Sequence, residues 1–485
     1  MYDSWEKVSH LNREELRELQ NNKVRWFFSH KLPYSPFYRE YFKKHNLKFS
    51  DIRTTDDLQK IPLMSKTDIA PTAEDPGRPR QFILQPDEKL IKKYATKTEL
   101  LKVIKMKVTK ENVQAMLEKE YKPLHLHFTT GRTALPTPFA YSAYDLAMLR
   151  QSAYRAFNVA GFSSDNVGLN AFPYSPHLGF WIVYYGLLEA GVTALATGGG
   201  KVMGTQKIMD SIERLKVNVL AIIPGYSYHL LREAVKQHRD FSNIKYIIFG
   251  AERVSSAFRE KVKELLKQVG ANEVQILASY ASTEAKTAWI QCAEYTGYHL
   301  YPDLEFVELV DAQGQRVTEG QPGEIVYTTL DWRGTVVVRY RTGDMAQGIE
   351  YDACPNCGRT VPRILPDIQR NSDVKEFNLT KIKGEQVNLN NVFPIMSSIA
   401  GVDEWQLVIR KKNNDQFDLD EIVVSASPKA GTNFPQLADD IKKRMHAEMQ
   451  VGVVVEQKTT EELITSLGME TELKEKRILD NRPKS

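Results

Sequence analysis

The stretch 217-VNVLAIIPGYSYHLLREAVKQHRDFSNIKYIIFGAERVS-255 decides how the fold reads. It holds two short apolar runs, VNVLAIIP and YIIFG, separated by a segment of helical length. Short apolar runs that end at Pro or Gly have the signature of buried strands. Working outward, NVGLNAF (166–172) and VTALAT (192–197) precede this pair and VQILASY (274–280) comes after it, each read as a buried strand. DLAMLRQSAYRAFNVAGF (145–162) reads as a helix. Strands alternating with helices predict βαβ units and a largely parallel sheet, an α/β fold. Such sheets bind ligands at the carboxyl ends of their strands, so the loops after these runs are where chemistry is expected.

On either side the pattern changes. NREELRELQNNKVRWFFSH (12–30) and SPFYREYFKKH (35–45) read as helices, and residues 87–121, rich in Lys and Glu, as two surface helices with a solvated face. LEFVELVD (304–311), GEIVYTT (323–329) and VVVRYRTGD (336–344) predict a β-rich subdomain. Beyond the polar stretch Arg370–Asp373, a smaller α+β unit contains EIVVSAS, the helix FPQLADDIKKRMHAEM and VGVVVEQ. The expected organisation is a large unit, 1–370, with mixed and parallel sheets, and a small mobile unit, 371–485.

A chain of 485 residues is too long for one core, and 42% hydrophobic with 26% charged residues is ordinary globular composition. No run approaches the ~20 apolar residues of a membrane span, and MYDSWEKVSHLNREEL has no signal-peptide apolar region, so a cytoplasmic protein is expected. A net charge of +4 suits anionic small molecules but does not argue for nucleic acid. Three cysteines cannot build a disulfide framework. Cys354 and Cys357 instead form C-P-N-C, a zinc half-site, and Cys292 and His299 supply two more ligands. Three thiolates and one imidazole close a tetrahedral Zn²⁺ site with no open position, which would make the metal structural; reduced buried thiols are the alternative.

HFTTGRTALPTPFAYS (127–142) places Thr129, Thr130 and Gly131 beside Arg132. Hydroxyls, unencumbered backbone N–H groups and a cation can wrap a polyphosphate, although an ordinary Thr/Gly/Pro turn has the same composition. The order TTGR, IIPGYSY, FGAERVS, SYASTE, GEIVYTTL, RYRTGD, CPNCGR and a terminal KEKRILDNR is more specific. It resembles the adenylate-forming superfamily of acyl-CoA synthetases, luciferases and peptide-synthetase adenylation domains, and within it the phenylacetate–coenzyme A ligase family. The phosphate loop departs from the family pattern: His127 and Phe128 replace small residues, and Arg132 replaces a lysine.

The resemblance implies a set of roles. Thr129, Thr130, Gly131 and Arg132 would hold phosphates; Gly250, Ala251 and Glu252 the purine; Tyr280 would lie on or near adenine. Thr283 would contact the α-phosphate, Glu284 would hold Mg²⁺, and Asp344, with Arg370, would grip the ribose. Without the family likeness, Glu284 reads as an acid at a helix N-terminus and Asp344 as a turn residue. Lys474 falls at the family's catalytic lysine, with Leu473 where a glycine is usual, so Lys476 remains an alternative, as does a plain charged tail. The hinge would lie in QRNSDVKEF (369–377), at Ser372 or Asp373. PYSPHLGFWIVYYGLLEAG (173–191), by the same likeness, lines an acyl pocket; it reads equally as a buried helix face.

The expected activity is attack of a carboxylate, aromatic or otherwise apolar, on ATP to give acyl-AMP, then transfer of the acyl group to coenzyme A. The ligand set is ATP/AMP, Mg²⁺, coenzyme A and structural Zn²⁺, with neither nucleic acid nor membrane as partner and the choice between monomer and homodimer open. A different acceptor, or a nucleotide-binding protein without ligase activity, are the competing readings.

Overall fold

The computed structural model describes residues 4–129, 137–252, 254–370, 380–382, 385–387, 389, 392–411, 420–449, 452–468 and 475–482. Strands β1 (Pro123–Phe128) and β2 (Pro138–Ser142) form an antiparallel pair. The main sheet comes next, made of β3 (Val167–Asn170), β4 (Thr193–Ala196), β5 (Val219–Ile222), β6 (Tyr246–Phe249), β7 (Gln275–Ser282) and β8 (Thr287–Ile290), in the order β4-β3-β5-β6-β7-β8. All its pairings are parallel except β7–β8. The α/β class read from the sequence is therefore the class observed.

The interior strand β5 is buried along its whole length, as its Val, Leu, Ala and Ile require. VTALAT is corrected: β4 is the outer strand, and three of its four residues are exposed. Its apolar letters match a buried strand, but its place at the sheet edge decides its exposure. Helix Ala143–Val159 begins with a capping box between Ser142 and Asp145 and packs on helix Leu178–Glu189, where Gly186 leaves room for the Phe157 ring.

After the short β9 (Tyr298–His299), the chain builds β10 (Glu305–Val310), β11 (Gly323–Thr329) and β12 (Tyr340–Ala346). Next come β13 (Ile349–Glu350), β14 (Arg363–Ile364) and β15 (Gln369–Arg370). The two antiparallel sheets run β10-β11-β12-β15 and β13-β14-β9. Strands β16 (Thr380–Ile382) and β17 (Glu385–Val387) pair with each other. A last sheet, β20-β19-β18-β21, contains β18 (Val402–Lys411), β19 (Asp420–Pro428), β20 (Val454–Gln457) and β21 (Ile478–Asp480). Its core, with Leu407, Ile409, Val424, Ile441 and Met445, is separate from the core that runs from Trp5 to Ile364.

Residues 87–121 form three helices, Glu88–Tyr94, Lys97–Val108 and Val113–Tyr121, rather than two. The middle helix buries nothing, yet the region is not wholly solvated. Lys31, only 2% exposed, is held by Glu99 at 2.6 Å, Glu120 at 3.7 Å and the Tyr121 hydroxyl at 3.0 Å. A buried ammonium needs such partners, so the insertion is anchored by charge as well as by the packing of Leu90, Tyr94, Leu117 and Tyr121 on the core. Among the described residues no helix is long and apolar enough to cross a membrane.

Candidate active site

From β3 the chain moves outward to β4 and then crosses to β5, β6 and β7, so the strand order reverses between β3 and β5. A crevice for a ligand opens at the carboxyl ends beside such a reversal. Gly250 follows β6; a Cβ there would come within 2.7 Å of Ser279 Oγ and 3.2 Å of the Phe172 ring. Ala251 is next, with φ of 71°, a conformation that costs a side-chain-bearing residue on the order of 1–3 kcal/mol. It turns Glu252 so that its carboxylate accepts from Gly225 N at 3.2 Å, bridging the ends of β5 and β6.

Strand β7 carries Tyr280, whose ring stacks on Trp289 (5.2 Å, 26°) and whose hydroxyl donates to Asp344 Oδ2 at 2.8 Å. Asp344 lies on β12 directly opposite Arg370 on β15. Thr283 and Glu284 sit in the β7–β8 turn, both half-buried. Glu284 accepts hydrogen bonds from the Ser282 hydroxyl (3.0 Å) and the Tyr340 hydroxyl (3.3 Å) and, among the described residues, forms no ion pair. Of the buried acids, Asp303 is paired with Arg155, Glu308 with Arg339 and Glu404 with Arg477, whereas Glu305 is held by Trp289 Nε1 and Tyr301 N.

Thr129 closes the neck of the β1–β2 hairpin: its N–H donates to Thr137 O (3.2 Å) and its hydroxyl accepts from Thr137 N (3.3 Å). Thr130, Gly131 and Arg132 lie outside the described residues. The hairpin is fastened to the sheet by Phe128 N donating to Pro176 O and His177 Nδ1 donating to Phe128 O, both at 2.8 Å. A second fastening has no signature in the sequence motifs. Lys286, fully buried, donates to Ala140 O (2.7 Å) and pairs with the equally buried Asp145 (2.9 Å). Asp145 also accepts from Arg333 N (2.7 Å) and Gly334 N (2.6 Å). Residue 334 must be glycine, because a Cβ would run into Ala140 O. The only sequence signal is a lysine two residues after Glu284, with nothing local to name its partner.

His127, at the foot of the same hairpin, is fully buried. Its Nε2 is 2.9 Å from His125 Nε2 and its ring lies 4.7 Å from Tyr141. Desolvation, with the nearby charges of His125 and Lys286, pushes its pKa down to about 3.

The four sulfur and nitrogen ligands come together. Cys292, His299, Cys354 and Cys357 offer ligand atoms all within 4.8 Å of one another. Cys292 Sγ and Cys354 Sγ are 3.5 Å apart, and Cys357 Sγ lies 3.3 Å from His299 Nε2. A tetrahedral ion with Zn–S near 2.3 Å would place its ligands about 3.5–3.8 Å apart, so this set fits. His299 Nδ1 donates to Ile290 O at 3.3 Å, which turns Nε2 to the cluster, the usual arrangement behind a metal-bound imidazole. The knuckle turn is held by Cys354 N to Arg359 O (2.8 Å) and Gly358 N to Cys354 O (2.9 Å), with Gly358 at φ +70°. Thr360 N then donates to Ser9 O, tying the cluster to the amino-terminal segment.

Lys474 lies outside the described residues, as do Ser372 and Asp373. The segment from Glu475 to Arg482 is no loose tail. Glu475 abuts Gly225, where a Cβ would be 2.5 Å from its Oε2. Arg477 is buried, ion-paired to Glu475 and to Glu404 (2.5 Å), and β21 joins β18. Lys476 is exposed. The carboxyl-terminal segment therefore reaches the same helix end, at Gly225, that Glu252 reaches from β6.

Comparison with known proteins agrees with this architecture. The chain is 25% identical over 446 residues to the phenylacetate-coenzyme A ligase of Thermus thermophilus, covering 90% of this chain and 88% of that one. It superposes with a TM-score of 0.76 on 2-hydroxyisobutyryl-CoA ligase in the postadenylation state with 2-HIB-AMP, at 19% identity over 98% of this chain and 92% of the other. On the same ligase in the thioesterification state with CoA the TM-score is 0.61, at 18% identity over 99% and 94%. Residues 64–330, more than half of the chain, match the AMP-binding enzyme family, and the residues at the ends of β6 and β7 fall within that match. The chain belongs to the AMP-binding enzyme family.

Proposed function

We propose that this enzyme activates a carboxylic acid with ATP and passes the acyl group to coenzyme A. The observation that carries the reading is the crevice edge at β5–β7. There, among the described residues, Glu284 is held by neutral hydroxyls and not by a cation, and the segment just after Lys474 is seated at Gly225. A half-buried carboxylate without a cation partner suits Mg²⁺, which takes one or two carboxylates together with phosphate oxygens. Asp344, oriented by Tyr280, would hold the ribose with Arg370; Gly250, Ala251 and Glu252 would border the purine. Thr283 and the loop Thr129–Arg132 would contact the phosphates. The phenylacetate and 2-hydroxyisobutyrate ligases that this chain resembles support coenzyme A as acceptor.

In the first step a carboxylate oxygen bonds to the α-phosphorus, the bond to the bridging oxygen breaks and pyrophosphate leaves. Charge grows on that oxygen, where Lys474 and the Thr129–Arg132 loop would act. In the second, the thiol sulfur bonds to the acyl carbon, the bond to AMP breaks, and the thiol proton passes to solvent. An aromatic acid is favoured by the ring of Phe172, which lies against Gly179 and Gly250 at the carboxyl end of β3. The division into 1–370 and 371–485 is supported by the two separate cores. Cys292, His299, Cys354 and Cys357 would hold a structural Zn²⁺ that takes no part in the chemistry.

The test is acid-dependent ATP–pyrophosphate exchange over a panel of aryl and aliphatic acids, together with AMP release with and without coenzyme A. An aryl acid should support exchange, and AMP release should require coenzyme A. ATP binding with no exchange for any acid overturns the enzyme; exchange without a coenzyme A effect moves the proposal to another acceptor.

A further inference from the structure

Among the described residues, one joins the small unit to the large one more tightly than any other. Asp403, at the start of β18, accepts through its carbonyl oxygen from Lys261 Nζ (2.9 Å) and the Tyr228 hydroxyl (3.2 Å). Its carboxylate pairs with Arg232 (2.8 Å) and accepts from the Thr460 hydroxyl of its own unit (2.8 Å). Tyr228 and Arg232 stand one turn apart on helix Pro224–Lys236, and Lys261 comes from the neighbouring helix Ser256–Gln268 with its ammonium 4.5 Å from the Tyr228 ring. The Arg232 and Asp403 side chains are only 14% and 19% exposed, so the pair is screened little. By contrast Lys236–Glu461, another cross-unit pair on this helix, spans 3.4 Å at 46% and 71% exposure and contributes little.

We infer that Asp403 is a positioning residue for acyl-AMP formation: it seats the small unit so that Glu475, the residue after Lys474, lies at the Gly225 end of the crevice, and it is released for the thioester step. The inference rests on the two-step reading of the function. The mechanical link is continuous. Next to Asp403, Glu404 holds Arg477, Arg477 holds Glu475, and Glu475 touches Gly225 at the start of the helix whose middle holds Asp403. Leu407 N also donates to Arg477 O (2.8 Å), so residues 475–478 cannot shift without β18. Two contacts on one helix, Gly225 and the Tyr228–Arg232 turn, thus fix one orientation. The contacts at the second are polar, so separating the two units gives their groups to water rather than leaving them without partners. Both contacts belong to the arrangement that superposes better on the postadenylation form of 2-hydroxyisobutyryl-CoA ligase than on its thioesterification form.

The experiment measures the half-reactions separately: pyrophosphate exchange with an accepted acid, and thioester formation from supplied acyl-AMP and coenzyme A. Asp403→Ala and Arg232→Ala should each lower exchange about tenfold while thioester formation stays level or rises. The charge swap Arg232→Asp/Asp403→Arg should recover most of the loss, and Lys236→Ala should change neither step. Equal loss in both half-reactions, or none in either, overturns the inference. Hydrogen exchange over Pro224–Lys236 and Val402–Lys411 reads the seat without activity: Asp403→Ala should expose both segments, and unchanged protection overturns it. A wild-type chain that exchanges with no acid refutes the two-step reading instead, and the hydrogen-exchange result still decides whether Asp403 seats the small unit.

Discussion

The two ends of the β7–β8 hairpin hold polar groups of opposite character. At the turn, Glu284 is a carboxylate held by two neutral hydroxyls with no cation paired to it among the described residues. Two residues past the other end of β8, Cys292 enters a cluster in which four ligand atoms converge and the imidazole is braced from behind by Ile290 O. The turn leaves a carboxylate that a mobile cation could neutralise; the cluster sets its four ligand atoms as one closed tetrahedral ion would need them. A few residues of strand separate a carboxylate left open from a ligand set that is closed. The distinction lies in how fully each polar group is satisfied by the protein itself, not in how deeply it is buried.

The largest effect should come from opening the closed end. Structural zinc contributes about 10–16 kcal/mol to small metal-dependent folds, so Cys354→Ser or Cys357→Ser should cost well over ~3 kcal/mol even inside a larger core. Elemental analysis should find one zinc per chain in the wild type and none in the variant, with the loss of stability read by urea unfolding. If activity fell far more than the folded fraction, the cluster would belong with the turn, and the contrast would collapse.

Next comes the residue two places beyond Glu284. Lys286→Met leaves Asp145 as a buried carboxylate without its cation, which should cost about 3–5 kcal/mol. Lys286→Met/Asp145→Asn should recover part of that, because the uncompensated charge is gone. Glu284→Gln should behave in the reverse way. Its unfolding free energy should stay within ~0.5 kcal/mol of wild type. Its pyrophosphate exchange should fall about tenfold to a hundredfold, roughly 1.4–2.7 kcal/mol of transition-state stabilisation, with more Mg²⁺ needed for half-maximal rate. A large loss of stability in Glu284→Gln would show that the turn is as structural as the cluster.

These pairs also mark where sequence reading stops. The strands β3, β5, β6 and β7 are legible because buried parallel strands are written in continuous apolar letters. The letters of β4 are equally apolar, and only its place at the sheet edge, a property of topology, exposes it. The Cys292, His299, Cys354 and Cys357 cluster is legible because the chain has three cysteines in all and two of them are spaced as a knuckle. The bond from Tyr280 to Asp344 is half legible: both residues stand out by likeness, but not that one orients the other. Asp145 with Lys286, Arg155 with Asp303, and Asp403 with Arg232 are not legible. A charged residue in one sequence looks solvated until the fold places its partner beside it. Lys31 with Glu99 and Glu120 is the same case, and it makes an insertion that reads as solvated into an anchored one.

The smallest effect separates two buried histidines along the same line. His299 has both ring nitrogens engaged, by Ile290 O and by the cluster, whereas His127 Nδ1 has no hydrogen-bond partner among the described residues. A buried imidazole without a partner for its second proton resists protonation, and the pKa of His127 is driven down to about 3 by burial first and by neighbouring positive charge second. In the unfolded chain the same group takes up its proton near pH ~6.5. Between those values the unfolded state binds the extra proton and the folded state does not, so this contribution to stability is full above about pH 6.5 and falls as the medium is acidified. One proton corresponds to about 1.4 kcal/mol per pH unit at most. His127→Gln, measured by urea unfolding from about pH 7 to about pH 4.5, should remove that share of the slope, whatever it does to the absolute stability at neutral pH. An unchanged slope would mean that His127 is protonated in the fold and paired, and that this end of the β1–β2 hairpin is as fully satisfied as the cysteine cluster.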